Sequence, residues 1–525
     1  MNAKLKKVFI ISVFVLVIGM SYIPAYGKIN KEEMQTTVSS TDDDIDWWPM
    51  FHHDLNHTGY STSTAPETNN VLWAYKADDL IKLSSPAVVD NMVFFGGYEK
   101  YFYCINSGTG EEVWKKYIPE GIGTSSPAVE TGKVYFGANN YNGGIYCLNA
   151  TTGDIIWRYQ TPGDNIVFAS PAIYEGKVFI GAPNPEPGCM YCLDADTGEE
   201  IWTFQDIYNP GSVAVYNDRV YFGSYDFNVY CLDSDNGTVI WKYKTEGEFT
   251  PYIHVTIYDD KIYAGGEDGL YCLVINNGDL IWKYPTDERI YSTPCTANGL
   301  VYFAAYDGYV YCLDAYSGEK IWDFKTNSYE LRSSPAYADG KIYLASSVGK
   351  IYCLDAFSGE KIWDFITATW VYSSPAVADG KLYIGTLSDG EMLCFGGGSD
   401  NNPPCTPIEI FGPTNCKKEV EYTYNTSTYD PDGDQLYYKW SWDEDWTDWI
   451  GPFNSNETVE INITFYYDFI HTIDVIVKDS NHARSGWAWL EVRVPRDKTI
   501  YSSLFMRFLE RYPLLNLLFQ RLIRL

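Results

Sequence analysis

Basic residues are scarce in this 525-residue chain: 38 Lys and Arg stand against 69 Asp and Glu, for a formal net charge of -31. Phosphate recognition draws its affinity from clustered cations, and none appear outside the two termini, which excludes a nucleic-acid binder. Helical patterning is also missing, since apolar residues do not recur at a 3.6-residue period. The 12 cysteines include no adjacent pair and no CxxCH haem-attachment sequence. What is abundant is aromatic surface, with 46 Tyr, 25 Phe and 17 Trp. Such a chain buries enough apolar area to offset its ordering entropy, which excludes disorder. The length allows two to four domains.

Lys4, Lys6 and Lys7 precede an apolar run from Val8 to Met20, and Ala25 and Gly27 form a small-residue site. Residues 1–27 therefore read as a secretory signal peptide, with an uncleaved anchor as the alternative; the run falls short of the ~20 residues that span a bilayer. Six Asn-x-Ser/Thr sequences, at Asn56, Asn149, Asn236, Asn425, Asn456 and Asn462, are compatible with export to the cell surface.

Internal repetition decides the fold. YCLDAYSGEKIW at Tyr311 to Trp322 returns as YCLDAFSGEKIW at Tyr352 to Trp363. Trp recurs at Trp73, Trp114, Trp157, Trp202, Trp241, Trp282, Trp322 and Trp363, in steps of 39 to 45 residues. Cys recurs at Cys104, Cys147, Cys192, Cys231, Cys272, Cys312, Cys353 and Cys394. Eight units of about 40 residues, each with four short strands, predict an all-β chain led by an eight-bladed β-propeller. In the seventh unit the first strand begins at Pro335, Asp339-Gly340 turns a hairpin, Ile351 to Asp355 forms the third strand and Trp363 sits on the fourth. Pro at the start of the first strand suits an innermost edge. The Trp residues are expected to anchor adjacent blades. No Trp follows the last unit, so Val71–Tyr75 is expected to supply its fourth strand and close the ring, hiding a sheet edge.

These AxxSGEKIW segments resemble the tryptophan-docking repeat of pyrroloquinoline-quinone (PQQ) propellers, a family shared by quinoprotein alcohol dehydrogenases and the noncatalytic outer-membrane-protein assembly lipoprotein. The resemblance covers residues 71–396. DWWPMFHHDLNHTGYS, from Asp46 to Ser61 within a linker and lead-in region 28–70, resembles the segment that often precedes such repeats. Its His52, His53, Asp54 and His57 have the composition of metal ligands, against the simpler reading of a segment packed on the ring. The dehydrogenase branch implies PQQ in the channel, a calcium ion, a catalytic Asp and, in many members, a vicinal cysteine ring. None of its site segments carries across to this chain. The repeat cysteines share one strand position, as buried structural residues do, and are expected to stay unpaired. Cys189 and Cys192 form a lone CxxC, weak as a metal signal.

Departures from the repeat point to where a ligand binds. Ser or Thr precedes the Pro position at Ser85, Ser126, Ser170, Ser212, Thr293, Ser334 and Ser374, whereas the fifth unit has His254. In units four and five Val213 and Val255 replace the Pro. His254 is expected to face the channel, with Lys82, Asp164, Arg289, Arg332 and Trp370 on loops of the ligand-binding face, either as a functional imidazole or as a hydrogen-bonded structural one.

After Phe395 the pattern changes. GGGSDNNPP is a flexible linker, taken as 397–404 after the propeller ends. Residues 405–495 alternate as short strands, which suggests an immunoglobulin-like β-sandwich. STYDPDGDQLYYKWSWD resembles polycystic-kidney-disease (PKD) domains, without their Gly-Asp-Gly core. Asp430, Asp432 and Asp434 suit a calcium ion and equally suit a turn. Cys405 and Cys416 are candidates for a disulfide. The tail 496–525 carries Arg507, Arg511, Arg521 and Arg524 among Leu and Phe. It reads as a short amphipathic helix that meets a membrane surface, a partner or its own domains. Together these features describe an exported, noncatalytic propeller scaffold that binds an extracellular protein or glycan. The rival is a PQQ- and calcium-dependent alcohol or sugar dehydrogenase.

Overall fold

The computed structural model describes residues 45–495, except 139–142, 163–166, 168, 183–187, 247–253, 398–400 and 444, together with Arg511. The expected signal peptide, Asp164 and the amphipathic tail, Arg511 apart, lie outside the described residues.

Among the described residues, eight antiparallel sheets of four strands follow one another from Ala87 to Phe395. Their first strands are Ala87–Val89, Ala128–Glu130, Ala172–Tyr174, Ala214–Tyr216, Val255–Tyr258, Cys295–Ala297, Ala336–Ala338 and Ala376–Ala378. Each first strand touches the next, and the last touches the first, so the sheets close into a ring of blades. The hairpins between first and second strands need left-handed backbone: Asp339 and Gly340 have φ of 50° and 72°, the type I′ geometry that matches strand twist. The last blade has only three consecutive strands of its own, and Val71–Lys76 pairs with Glu391–Phe395 as its fourth.

One layer of side chains repeats through every blade. In each, the repeat Cys lies opposite the repeat Trp in the strand ladder, as with Cys312 and Trp322. Trp73 and Cys394, from the two ends of the ring, make the same pair. The indole then reaches into the next blade: Trp322 Nε1 donates to Ala356 O (2.9 Å) and Trp73 Nε1 to Ser107 O (3.1 Å). Its ring lies flat on a glycine of that blade. A Cβ at Gly359 would sit 2.7 Å from the Trp322 ring, and Gly110, Gly153, Gly198, Gly237, Gly278 and Gly318 meet the preceding blade's Trp in the same way. Trp363 faces no such glycine; its Nε1 reaches Pro66 O (3.5 Å) in the lead-in region and its ring stacks on Phe395. The repeat cysteines are buried free thiols, and burial pushes them up, most to about 12 and Cys312 and Cys394 further still.

The lead-in segment lies inside the ring. Its backbone groups bond to the equivalent residue of six first strands: Val88 N donates to Trp48 O, Val129 N to Pro49 O, Val215 N to Leu55 O, Ile257 N to Asn56 O, Thr296 N to Thr58 O and Tyr337 N to Gly59 O, all at 2.7–2.8 Å. Tyr60–Ser61 then pairs in parallel with Tyr337 and Ala338. The channel-side edges, expected to need no ladder partner, are thus largely paired by a plug.

Beyond the ring, Glu421–Thr426 pairs with Val459–Thr464, and a second sheet runs Asp445–Trp446, Leu436–Trp442, Ile470–Asp479, Ala488–Arg493. The sheets share a core containing Tyr424, Trp440, Ile463 and Val475. Cys405 and Cys416 are both free: Cys416 Sγ lies 3.2 Å from Tyr424 Oη and 3.4 Å from Pro413 O, a packing position rather than a bridge. A buried ionic joint ties this module to the last blade. Arg484 Nη2 meets Glu391 Oε2 at 2.5 Å and Lys439 pairs with Asp389, all four largely buried. Trp449 lies under Lys478 (4.7 Å) and Arg484 (5.3 Å).

Two predictions follow the packing. Gly359→Ala forces both a Trp clash and a left-handed alanine, so it should cost about 3 kcal/mol, whereas Gly132→Ala, with φ of 73° and nothing near its Cβ position, should cost about 1 kcal/mol in chemical denaturation. At the joint, Arg484→Met leaves Glu391 buried and unpaired and should cost about 3–5 kcal/mol, most of it recovered by adding Glu391→Leu.

Candidate functional site

The SSP segments that open each blade build a belt around the channel. Six of the seven second hydroxyls accept a backbone N–H from the preceding blade, all but that of Thr293: Ser85 N donates to Ser126 Oγ (2.9 Å), Ser126 N to Ser170 Oγ (3.0 Å), Ser170 N to Ser212 Oγ (3.2 Å), Thr293 N to Ser334 Oγ (2.9 Å), Ser334 N to Ser374 Oγ (2.9 Å) and Ser374 N to Ser85 Oγ (3.0 Å). The first hydroxyl of the pair accepts within the blade, as where Ser84 Oγ accepts from Gly96 N (3.0 Å), and those of Ser125 and Ser373 also donate to Ala169 O and Ser84 O of the next blade. These hydroxyls are structural acceptors between blades. The belt is interrupted at His254.

His254 does not look into an open channel. Its ring lies 6.2 Å from that of Phe51 in the plug, and Phe51 also packs at 5.5 Å against His57. The hydroxyl of Thr256, where most blades have Ala, donates to His57 O (3.1 Å). His52 is fixed by His57 O at 2.6 Å and Pro335 O at 3.0 Å. Burial pulls His52 and His254 down to about 4 and His57 to about 3, so all three are neutral near pH 7. His53 behaves in the opposite way. Burial alone would lower it, but hydrogen bonds to Asp46 (3.1 Å) and Asp54 (3.5 Å) outweigh that and hold it at about 9. The four lead-in residues with metal-ligand composition are therefore divided among separate partners. Among the described residues, no group of three or more His, Cys, Asp or Glu side chains is arranged to hold a metal.

The loops that join one blade's fourth strand to the next blade's first strand carry the remaining candidates. Arg289 and Arg332 come together across two tyrosines that the sequence reading missed. Arg289 lies 5.1 Å from the Tyr291 ring and 5.0 Å from Tyr306; Arg332 lies 5.7 Å from both and 5.2 Å from Tyr372. The Nε of each guanidinium is buried without a hydrogen-bond partner. Trp370, 57% exposed, lies 6.2 Å from Tyr372. One loop further round the ring, Lys82 sits over Tyr98 at 4.5 Å. Cations and aromatic rings thus form an arc over four consecutive blade junctions, with the plug beneath. His254 lies at another junction and is not part of this arc. The tyrosines carried no separate signal, because Tyr is common throughout the repeats.

On the far side of the plug, where it skips the third blade, a cavity of about 530 Å³ is lined by Met50, His53, Leu55, Tyr174 and Tyr216 among others. In the C-terminal module, Asp430 Oδ1 accepts from Asp432 N (2.8 Å) and Asp434 N (3.2 Å), Asp432 binds Asn402, and Asp434 Oδ2 accepts from Asn481 Nδ2 (2.7 Å). The three carboxylates act as a turn and as cross-links.

The plug histidines give stability an optimum. The neutral His52, His57 and His254 contribute fully above about pH 6.5, and that contribution is lost as pH falls toward 4. His53 contributes fully below about pH 6.5, and its share is lost as pH rises toward 9. Melting temperature should peak near neutrality, and His53→Gln should flatten the alkaline side only.

Comparison with known proteins agrees with this geometry. Solved structures with the same fold include quinohaemoprotein alcohol dehydrogenase from Comamonas testosteroni (16% identity, 69% of this chain and 82% of that one, TM-score 0.58). They also include a europium-containing methanol dehydrogenase (13%, 65% and 89%, 0.56) and BamB from Moraxella catarrhalis (17%, 63% and 98%, 0.52). No curated protein matches the sequence. A family model described as outer membrane protein assembly factor BamB matches residues 58–186, 186–263, 226–328 and 306–396, and the chain belongs to that family of PQQ-like repeat propellers.

Proposed function

We propose that this chain is an exported, noncatalytic propeller scaffold that binds protein or glycan at the cell surface. The observation that carries the reading is the plugged ring: the lead-in segment occupies the channel beside the first strands, and six of the seven belt hydroxyls are already engaged as acceptors. The polar surface left for a ligand is the exposed arc of loops rather than a deep cofactor chamber. The signal-peptide pattern at residues 1–27 supports export. A rigid ring would hold the loops in fixed relation, and the C-terminal module, read as PKD-like and Ig-like, would position it through the buried joint.

The dehydrogenase neighbours, one of them europium-containing, keep a PQQ- and calcium-dependent dehydrogenase as the rival. The described residues do not fit the metal. Such hard cations need several converging oxygen ligands, and the arc offers guanidinium, ammonium and aromatic groups instead.

Titration of the purified chain with PQQ, with and without calcium, tests the reading by absorbance and thermal stability. The scaffold predicts no saturable binding at micromolar concentrations and no calcium-dependent rise in melting temperature. Stoichiometric, calcium-dependent binding with alcohol or sugar oxidation would overturn it.

A further inference from the structure

The arc of arginines is an incomplete site. Two guanidinium groups are held against the same pair of rings, Tyr291 and Tyr306, where their like charges repel. Among the described residues neither Arg289 nor Arg332 forms an ion pair, although acidic residues outnumber basic ones in the chain and most lysines described here have a carboxylate partner. Glu330, two residues from Arg332, is exposed; its charge acts on Arg332, but the two form no ion pair. Both buried Nε–H donors lack acceptors. Buried donors of this kind are costly unless an acceptor completes them, and an oxyanion supplies both charge and acceptor.

The surroundings narrow the anion. Trp370 presents an open indole face and leans on Tyr372, which is itself under Arg332; Tyr329, 75% exposed, lies on the same loop as Arg332. Exposed aromatic faces beside a pair of cations suit a ring with apolar C–H faces and a carboxylate at its edge. The plug beneath makes the site shallow and open, so a chain can lie across it. The joint with the C-terminal module borders it as well, because Leu387 N donates to Trp370 O (2.8 Å) in the turn whose Asp389 receives Lys439.

We propose that the arc formed by Arg289, Arg332, Tyr291, Tyr306, Tyr372 and Trp370 binds a carboxylate-bearing sugar of an acidic glycan. The two arginines hold the carboxylate and Trp370 stacks on the sugar face. This rests on the scaffold reading and supplies its ligand class.

The test uses the full chain and uronate oligosaccharides of galacturonate, glucuronate and mannuronate, each beside its neutral methyl ester, by calorimetry and tryptophan fluorescence. At least one acid form should bind about tenfold tighter than its ester. Arg289→Gln and Arg332→Gln should each weaken the acid form about tenfold and leave the ester unchanged, and Trp370→Ala should weaken both forms. Arg219→Gln, in a hairpin of the opposite face, should change neither and keep the same melting temperature. Binding of acid and ester with equal affinity, acid binding indifferent to both arginine variants, or no binding by any uronate would overturn the proposal. So would tighter binding of a sulfated oligosaccharide or of a peptide C-terminus. The scaffold reading stands or falls separately, on the PQQ titration.

Discussion

The innermost strand of every blade carries a row of amide and carbonyl groups that no strand of its own sheet reaches. Leaving such an edge unpaired and shielded from water is costly, so a closed ring solves the outer-edge problem of its joining sheet while creating an inner one. The lead-in segment resolves it by crossing the channel and offering one carbonyl after another to successive blades. Its path requires tight turns, and His52, His53, His57 and Gly59 all adopt positive φ. A Cβ at Gly59 would lie 2.6 Å from the His52 ring, so the segment's own packing requires glycine there. The same event that pairs the inner strands decides the depth of any ligand site on the opposite side.

The outer part of the ring depends on a different coupling. Each tryptophan belongs by covalent structure to one blade and by contact to the next, so the blade interfaces form a cycle. At the seam that cycle continues through Trp73 and Cys394, and Trp363 is met by Pro66 and Phe395 in place of a glycine turn. Residues 61–76 therefore serve both ends of the ring.

The ring architecture was legible because it is periodic: a Trp every 40 residues, a Cys at a fixed offset and a glycine turn between them identify a repeated layer. The belt was partly legible, since the Ser-Ser-Pro spacing is visible, but sequence alone does not say that a hydroxyl accepts from the preceding blade instead of facing the channel. That the lead-in packs on the ring was legible; that it enters the channel as a plug was not. Its interactions are mostly through backbone carbonyls, which leave no side-chain signature, and the sequence does not show that Phe51 arrives beside His254 in the channel. The pairing of Arg289 with Arg332 escaped for a related reason: they come from successive loops 43 residues apart, and the tyrosines that bring them together resemble the tyrosines of every other blade. The joint to the C-terminal module likewise joins charges remote in sequence.

Within one acidic chain, buried and half-buried cations are handled in two ways, and the contrast separates structure from recognition. At the joint, Arg484 and Lys439 are matched by Glu391 and Asp389; the Arg484 guanidinium and neighbouring cations hold the Glu391 carboxyl below its usual range despite burial. Such pairs bind two parts of the molecule through opposite charges, and Lys478, a third cation beside them, is pulled down to about 8 by burial. In the arc, tyrosine rings hold the guanidinium groups in place through their quadrupoles, which orient a cation without cancelling its charge. A cation so held remains available to a second partner. The arrangement that would be wasteful for stability is therefore the one suited to an anionic ligand, and it occurs on the loops that join successive blades.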